Sequence, residues 1–240
     1  MSKTIVVLGA GTGHGPAVAR RFGHEGYRVA LVARNENRLT ALAGQLEEEG
    51  VEAAVFPADL AQPSGIPALI DAIRGHFTRI DVVSYAPLDL SSFMPAADLT
   101  PETMQRHLDL YFLTPIALVR AVLGELTGRG EGSILITQST SATRPAPHLS
   151  GVGPAMAATR NYVRSLAQEI AGSGVHAATL QIGSMITGSA VHEALRSGAL
   201  THDTAFTEID PSDIADALWQ MHVERDVFDR ELTQKAAVPA

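Results

Sequence analysis

The residues with the most to say about chemistry come first in the chain, in the run Gly9-Ala10-Gly11-Thr12-Gly13-His14-Gly15. Bare backbone N–H groups in such a loop can approach an anion closely. A helix opening at the end of the loop adds partial positive charge, so the combination suits a diphosphate. A second candidate is Arg34, which with Asn35 follows an apolar stretch at residues 27–33 that ends without an acid. At the end of the second strand of a dinucleotide-binding fold, a carboxylate accepts from the 2′-hydroxyl of NAD, whereas an arginine suits the 2′-phosphate of NADP. Arg34 therefore favours NADP(H). The nine histidines show no close ligand spacing such as His-Glu-x-x-His, and the chain has no cysteine. No metal site, thiolate nucleophile or disulfide is expected.

These residues need a frame to hold them. The glycine run follows Thr4-Ile5-Val6-Val7-Leu8, a β-branched stretch of the kind a fully buried parallel strand uses. It precedes Ala17, Val18 and Phe22 at helical spacing. Further strands are expected at 27–33, 52–56, 80–85, 132–138 and 175–182. Helices are expected at 35–49, 63–77, 101–126, 154–170 and from Pro211 to about residue 222. Thr100-Pro101-Glu102 opens the third of these helices as cap, first residue and acid, and Pro115 either kinks it or packs within it. Strands alternating with helices imply right-handed crossovers. The fold class is thus α/β, a single doubly wound, Rossmann-type parallel sheet with helices on both faces, one domain over 1–240. Ligands of such sheets bind outside the carboxyl ends of the strands, which aligns the glycine loop, Arg34, Asp59 and the residues after Tyr85 along one edge. Residues 188–209 are mixed in character and read as a mobile lid. The last residues give one short strand and a frayed tail.

A net charge of −8 argues against nucleic-acid or anionic-membrane partners. The first strand begins too early for a signal peptide, and no apolar run is expected to span a bilayer. The expectation is a cytoplasmic protein acting on a small molecule.

Taken together, these motifs resemble the short-chain dehydrogenase/reductase family along essentially the whole chain. Gly9, Gly13 and Gly15 have the spacing of its cofactor loop, with Gly11, Thr12 and His14 between them, and Val32-Ala33-Arg34-Asn35 looks like its NADP-preferring form. Asp59-Leu60 corresponds to the pair that contacts adenine. Gly183 and Thr187 fit the family's Pro-Gly-xxx-Thr element near the nicotinamide, with Ile182 in place of proline. Gly132-Ser133-Ile134 opens the strand that ends at the family's catalytic serine, here Ser139. Ser84-Tyr85-Ala86-Pro87 stands where the family has Asn-Asn-Ala-Gly, and the resemblance puts Ala86 on the cofactor.

The resemblance breaks at the chemistry. The family's Tyr-xxx-Lys pair falls at Val152 and Met156, and the asparagine of its proton relay falls at Tyr111. The only lysines are Lys3 and Lys235, and none of Tyr27, Tyr85, Tyr111 and Tyr162 has a lysine four residues on. Ser139 is then a residue that polarises a carbonyl, or a loop serine capping backbone. Tyr111 is a substitute acid kept protonated by apolar surroundings, or a core aromatic with a satisfied hydroxyl. Tyr85 lines the adenosine side. His14 shapes its loop, while His148 and Arg160 read as surface residues. Phe93, Met94, Val152 and Met156 suit an apolar pocket or the core. The outer faces of helices 101–126 and 154–170 resemble the family's dimer surfaces and suggest a homodimer or homotetramer, the alternative being burial against the sheet. The favoured reading is an NADP(H)-dependent oxidoreductase for a small apolar carbonyl or alcohol, with an unusual proton donor. A redox-inactive NADP(H)-binding sensor or subunit, and a lyase or isomerase reusing the cleft, stand beside it.

Overall fold

The computed structural model describes residues 2–200 and 207–234. Its chain order is β1 (Thr4–Leu8), α1 (His14–His24), β2 (Arg28–Ala33), α2 (Glu36–Glu48), β3 (Ala53–Pro57), α3 (Ile66–Phe77), β4 (Val82–Tyr85), α4 (Pro101–Leu108), α5 (Thr114–Arg129), β5 (Gly132–Ser139), α6 (Val152–Glu169), β6 (Val175–Ile182), β7 (Met185–Ile186), α7 (Ala190–Arg196), β8 (Glu208–Ile209), α8 (Pro211–Glu224) and β9 (Asp229–Leu232). Seven strands form one sheet in the order β3-β2-β1-β4-β5-β6-β9, every pair parallel. Strand order reverses between β1 and β4, where Ile5 pairs with both Val29 and Val82. A doubly wound sheet opens its ligand crevice at that switch point.

β1 is buried at all five positions. Val6 and Leu8 face a layer that includes Ile70 and Phe77 of α3, Leu118 and Val122 of α5 and Val163 of α6. Ile5 and Val7 face the opposite layer, with Val18 and Phe22 of α1, Leu39 and Leu46 of α2 and Leu218 of α8. A slip of one residue would exchange the two layers, so the register is fixed from both sides.

The helix expected at 101–126 is divided. A π-helical turn, Asp109–Leu113, joins α4 to α5, with Pro115 in the first turn of α5. Proline has no N–H to give. The carbonyls four and five residues before it belong to Tyr111 and Leu110, and hydroxyls from outside the helix serve both: Thr159 Oγ1 donates to Tyr111 and Tyr85 Oη to Leu110. Contrary to expectation, the 101–129 run is long and apolar enough by length and composition to cross a membrane. Leu118, Val119, Val122 and Leu126 are instead buried in the core.

The segment read as an irregular lid also has structure. Ser189 Oγ caps α7, accepting from His192 N–H, and β7 pairs in parallel with β8. Residues 201–206 of that segment lie outside the described residues, as does the expected tail beyond 234.

Candidate active site

A cleft of about 400 Å³ runs along the carboxyl ends of the strands. Its floor is the glycine loop. Gly9 has φ +100°, and a Cβ there would lie 2.8 Å from the Ala86 and Pro87 backbone, so the loops after β1 and β4 touch. A Cβ on Gly15 would lie 2.5 Å from Ala10 Cα, which is why α1 packs so tightly on the loop. Nothing stands within 4 Å of a Cβ built on Gly11, which lines the cleft with Gly9 and Thr12. Gly13 precedes α1 and approaches Ser189. His14 Nε2 pairs with Thr137 Oγ1 at 3.0 Å, bracing the loop against β5. Burial drives its pKa down to about 4, so it is neutral at pH 7.

At one end the cleft is lined by Arg34, Asn35, Arg38, Asp59, Leu60 and Ala61. Asn35 Oδ1 accepts from the Arg38 N–H and caps α2, and Asp59 Oδ1 accepts from the Ala61 N–H. Arg38 is the residue that sequence reasoning passed over, although its place one helical turn after Arg34 was visible. Neither arginine has an ion pair among the described residues. Both flank the amino end of α2, where Glu36 is the acid of the first turn. Cations are disfavoured at that positive end of a helix, and a phosphate between them would relieve the conflict. With the open face at Gly11, this makes the residues present a good fit for a phosphorylated dinucleotide.

The other end is lined by Ala86–Leu90, Phe93, Arg106, Leu110, Gln138, Ser139, Val152, Met156, Ile182 and residues of the 184–191 segment. Ser139 Oγ accepts from the Ser141 N–H at 3.1 Å, and its own hydrogen has no protein acceptor among the described residues. The Ser139 N–H donates to Met156 Sδ at 3.3 Å, while Gln138 Nε2 donates to the Met156 carbonyl. Val152 and Met156, one turn apart, are 1% and 5% exposed. Apolar side chains thus occupy both of these positions beside Ser139.

Tyr111 is not brought into this wall; Leu110 lines it instead. The tyrosine oxygen accepts from the Asp89 N–H at 2.9 Å and reaches Ser92 Oγ at 3.1 Å, and Ser92 Oγ donates to the Asp89 carbonyl. With the serine proton committed, Tyr111 donates to Ser92 and the ring of hydrogen bonds closes. Burial outweighs those bonds and pushes its pKa up to about 12. Its hydroxyl thus holds the 89–92 turn, as in the reading of Tyr111 as a core aromatic with a satisfied hydroxyl.

Other expected residues are also placed elsewhere. Tyr85 is buried, with its hydroxyl spent on Leu110, and does not line the adenosine side. Gly183 lies against Thr233, and Thr187 donates to the Ile209 carbonyl through both N–H and Oγ1; neither lines the cleft. Phe93 is in the wall and Met94 is not. His148 is exposed at φ +61°, and Arg160 pairs with Asp229 of β9.

Comparison with known proteins agrees with this geometry. The model of the short chain dehydrogenase family matches residues 3–196. An uncharacterized oxidoreductase from Staphylococcus epidermidis is 30% identical over 220 residues, which is 90% of this chain and 89% of the relative. An alcohol dehydrogenase from the archaeon Thermococcus sibiricus, solved with 5-hydroxy-NADP, superposes with a TM-score of 0.78 at 26% identity, covering 98% of this chain and 99% of the other. A short-chain oxidoreductase from Pseudomonas aeruginosa PAO1, described as containing an atypical catalytic center, superposes at 0.83 with 23% identity over 99% and 98% of the two chains. The chain belongs to the short-chain dehydrogenase/reductase family of NAD(P)-dependent oxidoreductases.

Proposed function

We propose that this protein is an NADP(H)-dependent oxidoreductase for a small carbonyl or alcohol substrate, with proton delivery from Ser139 and water in place of the tyrosine–lysine pair. The observation that carries the cofactor preference is the couple Arg34 and Arg38, without an ion pair among the described residues, at the positive end of α2. When bound, the nicotinamide would supply or accept the hydride. The glycine loop and the amino end of α1 hold the diphosphate, and Arg34 and Arg38 hold the 2′-phosphate. Ser139 donates its free O–H to the substrate oxygen, polarising the carbonyl and stabilising charge as it develops there. Leu88, Leu90, Phe93 and Val152 receive the apolar part of the substrate. The same fold carries an atypical catalytic center in the Pseudomonas aeruginosa neighbour, which supports this reading. Two copies would pair through the outer faces of α5 and α6.

The test is a titration of the purified protein with NADPH and with NADH, followed by a panel of aldehydes, ketones and enones read by NADPH absorbance. Tight NADPH binding, weaker NADH binding and substrate-dependent oxidation are expected. One observation favours a second reading: among the described residues, neither a tyrosine nor a lysine lines the cleft. Tight binding with no turnover across the panel would select a redox-inactive cofactor-binding protein. No binding of either dinucleotide would overturn both.

A further inference from the structure

We infer that Arg106 is an anion-recognition residue, and that the substrate carries a carboxylate or comparable oxyanion remote from its reacting carbon. This names the substrate class of the oxidoreductase site and rests on that reading for the reaction.

The chain has 26 acidic residues against 18 lysines and arginines, so cations find partners readily. Arg20, Arg21, Arg74, Arg79, Arg129, Arg144, Arg160 and Arg230 are all ion-paired. Arg28, Arg164 and Arg225 have carbonyl or ring contacts. Among the described residues, Arg34, Arg38, Arg106, Arg120 and Arg196 have neither. Three of these five line the same cleft. Arg34 and Arg38 belong to its adenosine end. Arg106 is on α4 at the other end, among Leu88, Leu90, Phe93 and Leu110. Arg106 is exposed, as are Leu88 and Leu90, so it stands at the open mouth of the cleft, where an ion pair with a ligand is modest and screened by salt.

Two alternatives for Arg106 fall short. The last turn of α4 is no free helix end, because the helical path continues through the π turn into α5. Its carbonyls have no call for a cationic cap. Asp89 is the carboxylate on the same wall, but it does not come within ion-pairing distance. Its Oδ1 accepts from the Ser91 N–H at 2.9 Å. Burial opposes ionisation of Asp89, yet the Ser91 hydrogen bonds, helped by the nearby charges of His107 and Arg106, hold its pKa below the usual range. Arg106 thus lines the cleft with no hydrogen bond or ion pair of its own among the described residues, and a guanidinium fork can hold a carboxylate at two points.

The experiment compares hexanoate, hexan-1-ol and hexylamine as ligands of the protein with and without NADP⁺, by calorimetry or saturation-transfer NMR. Hexanoate is expected to bind up to about fivefold more tightly than hexan-1-ol, with hexylamine weakest. The preference should fall with added salt, disappear in Arg106→Gln and survive in part in Arg106→Lys. Equal binding of hexanoate and hexan-1-ol, an unchanged preference in Arg106→Gln, or no hexanoate binding would each overturn the inference. NADPH binding and consumption, measured on the same preparations, report separately on the oxidoreductase reading. A carboxylate preference lost in Arg106→Gln but without any NADPH oxidation sinks that reading alone.

Discussion

Thr159 supplies Tyr111 with the hydrogen bond that Pro115 withholds: its Oγ1 donates to the carbonyl that an ordinary residue at 115 would serve through its N–H. Removing the hydroxyl in Thr159→Ala would leave a buried carbonyl without that partner. The expected loss is about 1–3 kcal/mol of unfolding free energy. Adding Pro115→Ala should return part of it by restoring a backbone donor. Urea denaturation of the two single variants and the double variant measures the coupling, and strict additivity would contradict this account.

The arginines flanking α2 should separate the two cofactors. Arg38→Gln and Arg34→Gln are each expected to weaken NADPH binding by about tenfold or more, in line with loss of a charge-assisted hydrogen bond. NADH binding should change little. Parallel losses for both dinucleotides would show that the arginines support the loop rather than read the phosphate.

Restoring the family pair gives a third prediction. Val152→Tyr with Met156→Lys should raise carbonyl reduction by about 10²–10⁴-fold, the usual contribution of a positioned general acid. Met156→Lys alone should lower stability without raising the rate, because an ammonium would be buried with no phenol to tune. Steady-state rates and thermal melts on the three variants test both statements.

Acid should weaken the fold through two histidines. Burial depresses the pKa of His14 and of His222 to about 4. His222 is held between Tyr27 Oη at 2.8 Å and Ser133 Oγ at 2.7 Å, at the end of the sheet opposite the cleft. Unfolded, each would titrate near its ordinary value of about 6.5. Between those limits the unfolded chain binds more protons, so stability rises with pH there. The contribution is fully present above about pH 6.5 and disappears as pH falls towards 4, about 3 kcal/mol for each histidine. His222→Gln should flatten the pH dependence of the urea midpoint between pH 7 and 5.

The strands and the glycine loop were legible because a parallel sheet leaves a strong imprint: β-branched runs at regular intervals, and glycines where a Cβ would strike backbone. That Arg34 lines the cleft was legible from its place directly after β2. Arg38 was equally visible at helical spacing, but a solvated helix face produces the same pattern. For Tyr111 the sequence left two placements open, and the choice between them was not legible. Leu110 and Tyr111 are both apolar enough for either to face the cleft, and the π turn that decides between them depends on hydroxyls donated by Tyr85 and Thr159. The contacts of Thr187 were hidden for a similar reason. Its hydroxyl and N–H turn to Ile209, a partner fixed by pairing of β7 with β8 across a gap in sequence.

Val152 and Met156 belong to the same buried cluster as Ile136 and Tyr85 beneath the sheet. A reactive wall in an enzyme normally stores unfavourable energy, since its polar groups are kept dry and in readiness. Here the wall is continuous with the hydrophobic interior, and the cleft remains open beside it without that burden. Reactivity and robustness have been uncoupled at these two positions: the fold keeps its shape whether or not the neighbouring surface performs a reaction.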